Sequence, residues 1–282
     1  MRFLKIFLNL LIFTIMATSH IYGYEGYEKY PMEGNSIFPL TDVNIMLSKI
    51  NVLMENKERR DVNIKVNSEY ILENLSDEEV TFKAAFPVES NCIDCTKMPD
   101  DFKVLINKQP VLTSITKILR KDYLLRIYKK MGPAVSNKQR EYAELGVREG
   151  KLYEIPIIVF DISFKPKEKK TVSTFYTLEW YLDPGAESLE YDLSTLYIWK
   201  GNIEKASFKL VLPEELIDVS DIKTGNAFKW RWPKPKISIH PKNYQINKTN
   251  NSIEWFFGNL NQKKIGHISV DLDYRAPGVV GE

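Results

Sequence analysis

Val62-Asn63-Ile64-Lys65-Val66-Asn67-Ser68-Glu69-Tyr70-Ile71-Leu72 sets the class of this fold. Val62, Ile64, Val66, Tyr70 and Leu72 fall on one side of an extended chain; Asn63, Lys65, Asn67, Glu69 and Ile71 fall on the other. Successive side chains alternate sides in a strand, so this period of two predicts a strand with one wet face. Upstream, Val43, Ile45 and Leu47 alternate, and Ile50, Val52 and Met54 alternate after them. Downstream, Glu73-Asn74-Leu75-Ser76-Asp77 reads as a turn. Val80, Phe82, Ala84 and Phe86 form the returning strand, ended by Pro87. Phe102, Val104 and Ile106 give another strand, closed by an Asn107-Lys108 turn.

The period then changes. Ile118, Leu119, Leu125 and Tyr128 lie near helical spacing, and Met131-Gly132-Pro133 stops the run. Ser136 with Gln139 three residues on makes a capping box for a helix to about Leu145. Residues 114–150 are therefore a helical excursion, or a linker between two β regions. Strands resume at Tyr153–Phe164, and Val172–Trp180 returns after a hairpin-like Pro166-Lys167-Glu168 turn. Tyr191, Leu193, Thr195, Tyr197 and Trp199 are read as one strand face, followed by a Lys200-Gly201-Asn202 turn and a strand over Ala206–Leu212. Strands over Ile253–Phe257 and Ile265–Tyr274 close the pattern. The expected fold is mostly β: one or two antiparallel β-sandwich-like domains, residues 41–113 and 151–282, with a short helical excursion between them.

Residues 1–23 read as a signal peptide. Arg2 and Lys5 supply a positive start, Ile6–Ile15 an apolar core, and Ala17 and Ser19 small residues at cleavage spacing, with Gly23 as a second end. An uncleaved anchor is the other reading, although the apolar run is short for a membrane span. Residues 24–40 follow as an extended leader rich in tyrosine and glutamate. The implied location is exported, periplasmic or extracellular. No later apolar run approaches membrane-helix length, which predicts no span in the mature chain. The formal net charge is +2; a dedicated nucleic-acid binder carries a larger basic excess, so nucleic acid is not an expected partner.

Cys92 and Cys95 are the two cysteines of the chain. In an exported protein Cys92-Ile93-Asp94-Cys95 reads as a local disulfide closing a very small loop. A redox pair needs a helix start to lower a thiol pKa, whereas Met98-Pro99-Asp100-Asp101 follows here. Zinc would need two further ligands. The two histidines beyond the signal, His240 and His267, lack ligand spacing, so neither metal nor cofactor is expected.

Three constellations bear on function. Trp230, Arg231, Trp232 and Lys234 place two indoles on one side of an extended segment and cations around them. Indole faces stack on sugar rings, and Arg and Lys meet phosphate or carboxylate, so these four are the candidate binding residues. An edge strand with buried tryptophans and solvated charges accounts for the same pattern. His267, Ser269, Asp271 and Asp273 share a face of the last strand, but no Gly-x-Ser-x-Gly elbow accompanies them, and a wet strand face suffices. Asn74-Leu75-Ser76, Asn247-Lys248-Thr249 and Asn250-Asn251-Ser252 match the glycosylation acceptor pattern.

Several pieces in order also resemble a known family. They are Val43–Met46 before the Val62–Leu72 strand, the Asn74 turn, Ala85-Phe86-Pro87 and Asp101-Phe102-Lys103-Val104. Leu189–Tyr191, Trp199-Lys200-Gly201-Asn202-Ile203 and Ile253-Glu254-Trp255 continue the series. The pattern is similar to the exported bacterial proteins grouped as Domain of Unknown Function forty-four twenty-four, from about residue 35 to about 275. Gly34-Asn35-Ser36-Ile37-Phe38 departs from the glycine-rich start common in that family. The resemblance implies export and β architecture and carries over no catalytic residue. The expected function is a non-enzymatic module that binds a protein or glycan of the cell envelope. The alternatives are a hydrolase of envelope polymers, using carboxylates that converge only in the fold, and a structural envelope subunit.

Overall fold

The computed structural model describes residues 35–56, 63–87, 101–119, 147–148, 151–152, 154–179, 181–183, 186–213, 236–260 and 267–273, with helical positions 122, 123, 125, 127 and 129. These residues belong to one compact unit, Glu33–Glu282. The signal-like segment, Cys92 and Cys95, the capping box at Ser136, and the Trp230–Lys234 constellation lie outside the described residues.

The strands are β1 (Phe38–Pro39), β2 (Ile45–Glu55), β3 (Asn63–Asn74), β4 (Val80–Pro87), β5 (Lys103–Ile106), β6 (Gln109–Pro110), β7 (Ser114–Leu119), β8 (Val147–Arg148) and β9 (Lys151–Leu152). They continue as β10 (Glu154–Phe164), β11 (Lys169–Glu179), β12 (Tyr181–Asp183), β13 (Ala186–Asp192), β14 (Ile203–Val211), β15 (Lys236–His240), β16 (Tyr244–Asn247), β17 (Ser252–Leu260) and β18 (His267–Asp273). An eight-stranded sheet runs β16-β17-β14-β2-β3-β11-β5-β6. Two four-stranded sheets run β1-β4-β10-β7 and β12-β13-β18-β15, and β8 and β9 form a small ribbon. The inner sides of all three larger sheets meet in one apolar core: Leu72 and Phe208 from the wide sheet, Phe82 and Phe160 from one narrow sheet, Tyr191 and Val270 from the other. The fold is mostly β, a wide sheet faced by two narrow ones. The described strands pair antiparallel except where β14 runs parallel to β2, a pairing that a parallel bridge between Met46 and Lys200 extends.

Local sequence explains the elements. In β3, Ile64, Val66, Ser68, Tyr70, Leu72 and Asn74 are buried and their neighbours are not, as the alternation predicted. In β2 the two alternating runs belong to a single strand. A register shift between Leu47 and Lys49 marks a bulge at Ser48, whose hydroxyl donates to the Ile71 carbonyl at 3.1 Å. β10 reads as a continuous apolar run because both its faces are covered. Ile158 and Phe160 enter the main core, while Ile155, Ile157 and Val159 meet Tyr123 and Ile127 of the helical stretch.

Four expectations are corrected. β3 and β4 do not form a hairpin: β3 pairs with β2 and β11, whereas β4 pairs with β1 and β10. The Pro166-Lys167-Glu168 turn likewise carries β10 into β11, which lies in the other sheet. Both connections are arches that cross the sandwich, and they sit side by side. Asn74 stitches them together. Its amide donates to the carbonyls of Glu78 (2.8 Å) and Lys165 (3.0 Å), and its carbonyl accepts the Ser76 amide (3.0 Å) and hydroxyl (2.7 Å). Second, Ile118 and Leu119 end strand β7, and the helix begins after them. Third, Ser194–Ile198 is a 3-10 helix, so Leu193, Leu196 and Trp199 are buried at a period of three, not two. Fourth, residues 35–38, the end of the segment read as a leader, are buried, and Phe38–Pro39 pairs with β4.

That last segment threads a polar centre through the core. The Asn35 carbonyl accepts the phenols of Tyr176 and Tyr191, each at 2.9 Å. Ser36 Oγ and Ser68 Oγ lie 3.1 and 3.4 Å from the same Tyr191 oxygen. Trp199 Nε1 donates to the Ile37 carbonyl at 3.0 Å. Burial pushes the Tyr176 and Tyr191 phenols well above their ordinary range, and Tyr70 beside them adds to both shifts.

Candidate functional site

The outer side of the eight-stranded sheet is not covered by either narrow sheet. Register places Phe256, Ser207, Asn51, Glu69, Ser173 and Leu105 in one row across β17, β14, β2, β3, β11 and β5. Side chains link part of this row: Ser207 Oγ donates to Asn51 Oδ1 (2.8 Å), and Asn51 Nδ2 donates to Glu69 Oε1 (3.3 Å). Farther along the face, burial alone would raise the Glu254 carboxyl. The Lys209 ammonium at 3.0 Å and the Ser252 hydroxyl at 2.8 Å outweigh it and hold the group below its usual range.

A groove of about 490 Å³ opens on this face. Its floor is β11, where the outward positions carry the small residues Thr171 and Ser173. The flanking strands carry larger ones: Asn67 and Glu69 on β3, Leu105 on β5. Phe175 closes one end and the Asn107-Lys108 turn the other. Low side chains on one strand between taller ones on its neighbours are what make the groove.

The turn at its end is pinned and strained. Asn107 N donates to the Thr171 carbonyl (2.8 Å), and Asn107 Oδ1 accepts the Thr171 amide (3.0 Å). Asn107 and Lys108 both have positive φ, +48° and +68°. Two-residue hairpins demand this geometry, and the second position is usually glycine. A lysine there costs about 1 kcal/mol in backbone strain. The exposed Lys108 ammonium has no ion-pair partner among the described residues. Among the described residues, Glu69 is the carboxylate that lines the groove.

The sequence-predicted site residues Trp230, Arg231, Trp232, Lys234, Cys92 and Cys95 all lie outside the described residues. The His267 face is described. Ser188 Oγ and Ser269 Oγ both donate to Asp271, at 2.5 and 3.4 Å, while His267 Nδ1 lies 3.8 Å from Glu190 Oε1 and its ring is 5.0 Å from that of His240. No Ser269–His267 hydrogen bond occurs among the described residues, so the strand face carries no nucleophile–base pair there. Among the described residues, no group of His, Cys, Asp or Glu is arranged to hold a metal ion, and no helix is long and apolar enough to cross a membrane. Asn74 is fully buried with its amide engaged twice, which closes it to glycosylation in the folded protein.

No family model matches the chain, and no curated protein matches it. Solved structures do. A Legionella pneumophila protein, provisionally named a nutrient binding protein, superposes with a TM-score of 0.58 at 15% identity, over 85% of this chain and 70% of that one. At that identity the likeness is one of fold. An M1 zinc metallopeptidase from Deinococcus radiodurans gives a TM-score of 0.37 at 5% identity, over 82% of this chain and 42% of that one. An aminopeptidase N family protein from Idiomarina loihiensis gives 0.33 at 10%, over 79% and 29%. The chain spans less than half of either peptidase, and at these scores they carry no argument about it.

Proposed function

We propose that this protein is an exported, non-enzymatic binding module of the cell envelope that holds a polar partner, a protein or glycan group, in the groove over β11. The observation that carries this reading is the groove itself: a half-buried aromatic ring, Phe175, beside hydroxyl, amide and charged side chains on a rigid sheet. Apolar surface with a few placed polar groups is the usual make-up of a binding site. The signal-like residues 1–23 support export, and the name of the Legionella structure, a binding protein of the same fold, supports a ligand. The resemblance to the exported family of unknown function is part of the same proposal. The Trp230–Lys234 segment remains a second candidate contact.

The test is calorimetric titration of the purified mature protein with envelope-derived oligosaccharides and peptides, run beside Phe175→Ala and a Trp230→Ala/Trp232→Ala variant. Binding lost in Phe175→Ala alone supports the groove. Binding lost only in the tryptophan variant moves the site to that segment. Turnover of an envelope polymer that disappears in Glu69→Gln would overturn the non-enzymatic reading.

A further inference from the structure

We infer that the groove over β11 selects a zwitterion of one or two residues, an amino acid or a dipeptide, with its ammonium at Glu69 and its carboxylate at Lys108. This rests on the binding reading above and names the ligand class of the same site.

The charges at the groove are one of each sign: one stands on a wall and the other at the end that the turn closes. Glu69 rises from β3, and Lys108 from the turn that leaves β5. Glu69 and Leu105 flank Ser173 in one row and strands lie ~4.8 Å apart, so the wall strands are about 10 Å apart; the turn meets Thr171 two residues farther along, which sets Glu69 and the turn on a diagonal of about 12 Å between backbones. An extended residue spans about 3.5 Å, which leaves room for one or two residues and a hydrogen bond at each end.

The two charged groups also differ in how they are held. Asn51 fixes one oxygen of Glu69, with Ser207 behind it, and the other oxygen accepts from no protein donor among the described residues. Lys108 is presented by a turn locked onto β11 through both Asn107 contacts with Thr171. The chain retains a lysine where glycine would relax the backbone, so strain falls on the residue that supplies the cation. Phe175 and Leu105 then offer apolar surface for a ligand side chain, and Ser173 and Thr171 offer hydroxyls to the peptide group.

Other ligand classes fit the charges less well. A neutral sugar would cover both charges and answer neither, which desolvates them without a counter-charge. A purely anionic ligand would satisfy Lys108 and be repelled by Glu69. A zwitterion satisfies both with charge-assisted hydrogen bonds.

The experiment titrates the mature protein with the dipeptide Ala-Phe, its C-terminal amide, its N-acetyl form and a neutral disaccharide. Variants Lys108→Gln and Glu69→Gln are run alongside. The expected result is at least a tenfold loss of affinity on blocking either terminus. Lys108→Gln should abolish the preference for free acid over amide while keeping the preference for free amine. Glu69→Gln should do the reverse. Equal affinity for the blocked and free dipeptides overturns the inference. Binding of the disaccharide but not the dipeptide, lost in Phe175→Ala, overturns the inference and leaves the binding reading standing. Failure of every probe to bind in the groove removes both.

Discussion

Three tyrosines are buried side by side in the core, and the structure assigns each hydroxyl a different worth. Tyr191 Oη donates to the Asn35 carbonyl and lies near the hydroxyls of Ser36 and Ser68, all fully or nearly fully buried. Tyr191→Phe therefore leaves two buried serine hydroxyls without that partner. A hydrogen bond nets about 1 kcal/mol, and a stranded buried polar group costs about 1–3 kcal/mol. The Ser68 contact, at 3.4 Å, is the weakest, so the expected loss is about 2–4 kcal/mol. Tyr176→Phe removes the bond to an oxygen that keeps its partner in Tyr191, with weaker contacts to the Tyr191 and Ser68 hydroxyls, for an expected loss of about 1–2 kcal/mol. Tyr70 is fully buried, and its hydroxyl has no hydrogen-bond partner among the described residues. Tyr70→Phe should leave stability unchanged or raise it by up to about 2 kcal/mol. The assay is urea unfolding of the wild type and the three variants, with midpoints compared at constant slope. If Tyr70→Phe is the most damaging of the three, or all three fall together, the hydroxyl assignments are wrong and ring packing governs these positions.

Asn74→Ala should cost about 1–2 kcal/mol, because it removes the side chain that bonds the Ser76 amide and the Glu78 and Lys165 carbonyls where the two arches meet; Asn74→Asp should be no better, since it sets a carboxylate against those carbonyls. Thermal unfolding of both variants checks this. Lys108→Gly should raise stability by about 1 kcal/mol by relieving a left-handed backbone while weakening ligand binding, and loss of stability would refute the strain argument. Alkaline titration gives a fourth check. The folded phenols of Tyr176 and Tyr191 sit above their unfolded value, so their contribution is complete below pH ~10 and is lost as pH rises beyond it. Followed by tyrosinate absorbance, these two of the 15 tyrosines should ionise only as the protein unfolds.

Alternation was legible because it is local. The β3 pattern gave the strand and its buried side, and the phase change between Leu47 and Ile50 already recorded the Ser48 bulge. Partner choice was not legible. A short polar turn at Asn74–Asp77 or Pro166–Glu168 serves a hairpin and an arch equally, and only the opposite sheet decides which forms. Leu193, Leu196 and Trp199 fit a period of three as well as the alternation read there, and the burial of the 3-10 turn settled it. The groove was hidden for the same reason as the arches. Thr171, Ser173 and Phe175 look like an ordinary wet strand face until β3 and β5 are known to flank them. One signal was available: an Asn-Lys turn where Asn-Gly would be relaxed.

The parallel pairing of β14 with β2 has a kinetic consequence. Lys205 settles beside Lys49 and Val211 beside Glu55, so the middle of the wide sheet joins two distant parts of the chain. Closing so long a loop is slow, and contacts of this kind govern folding rate more than stability. Until β14 arrives, β2 presents an open edge along Ile50-Asn51-Val52-Leu53-Met54, the kind of strand that recruits other chains. The interval between making residue 55 and placing residue 211 is therefore when this protein is most exposed to aggregation.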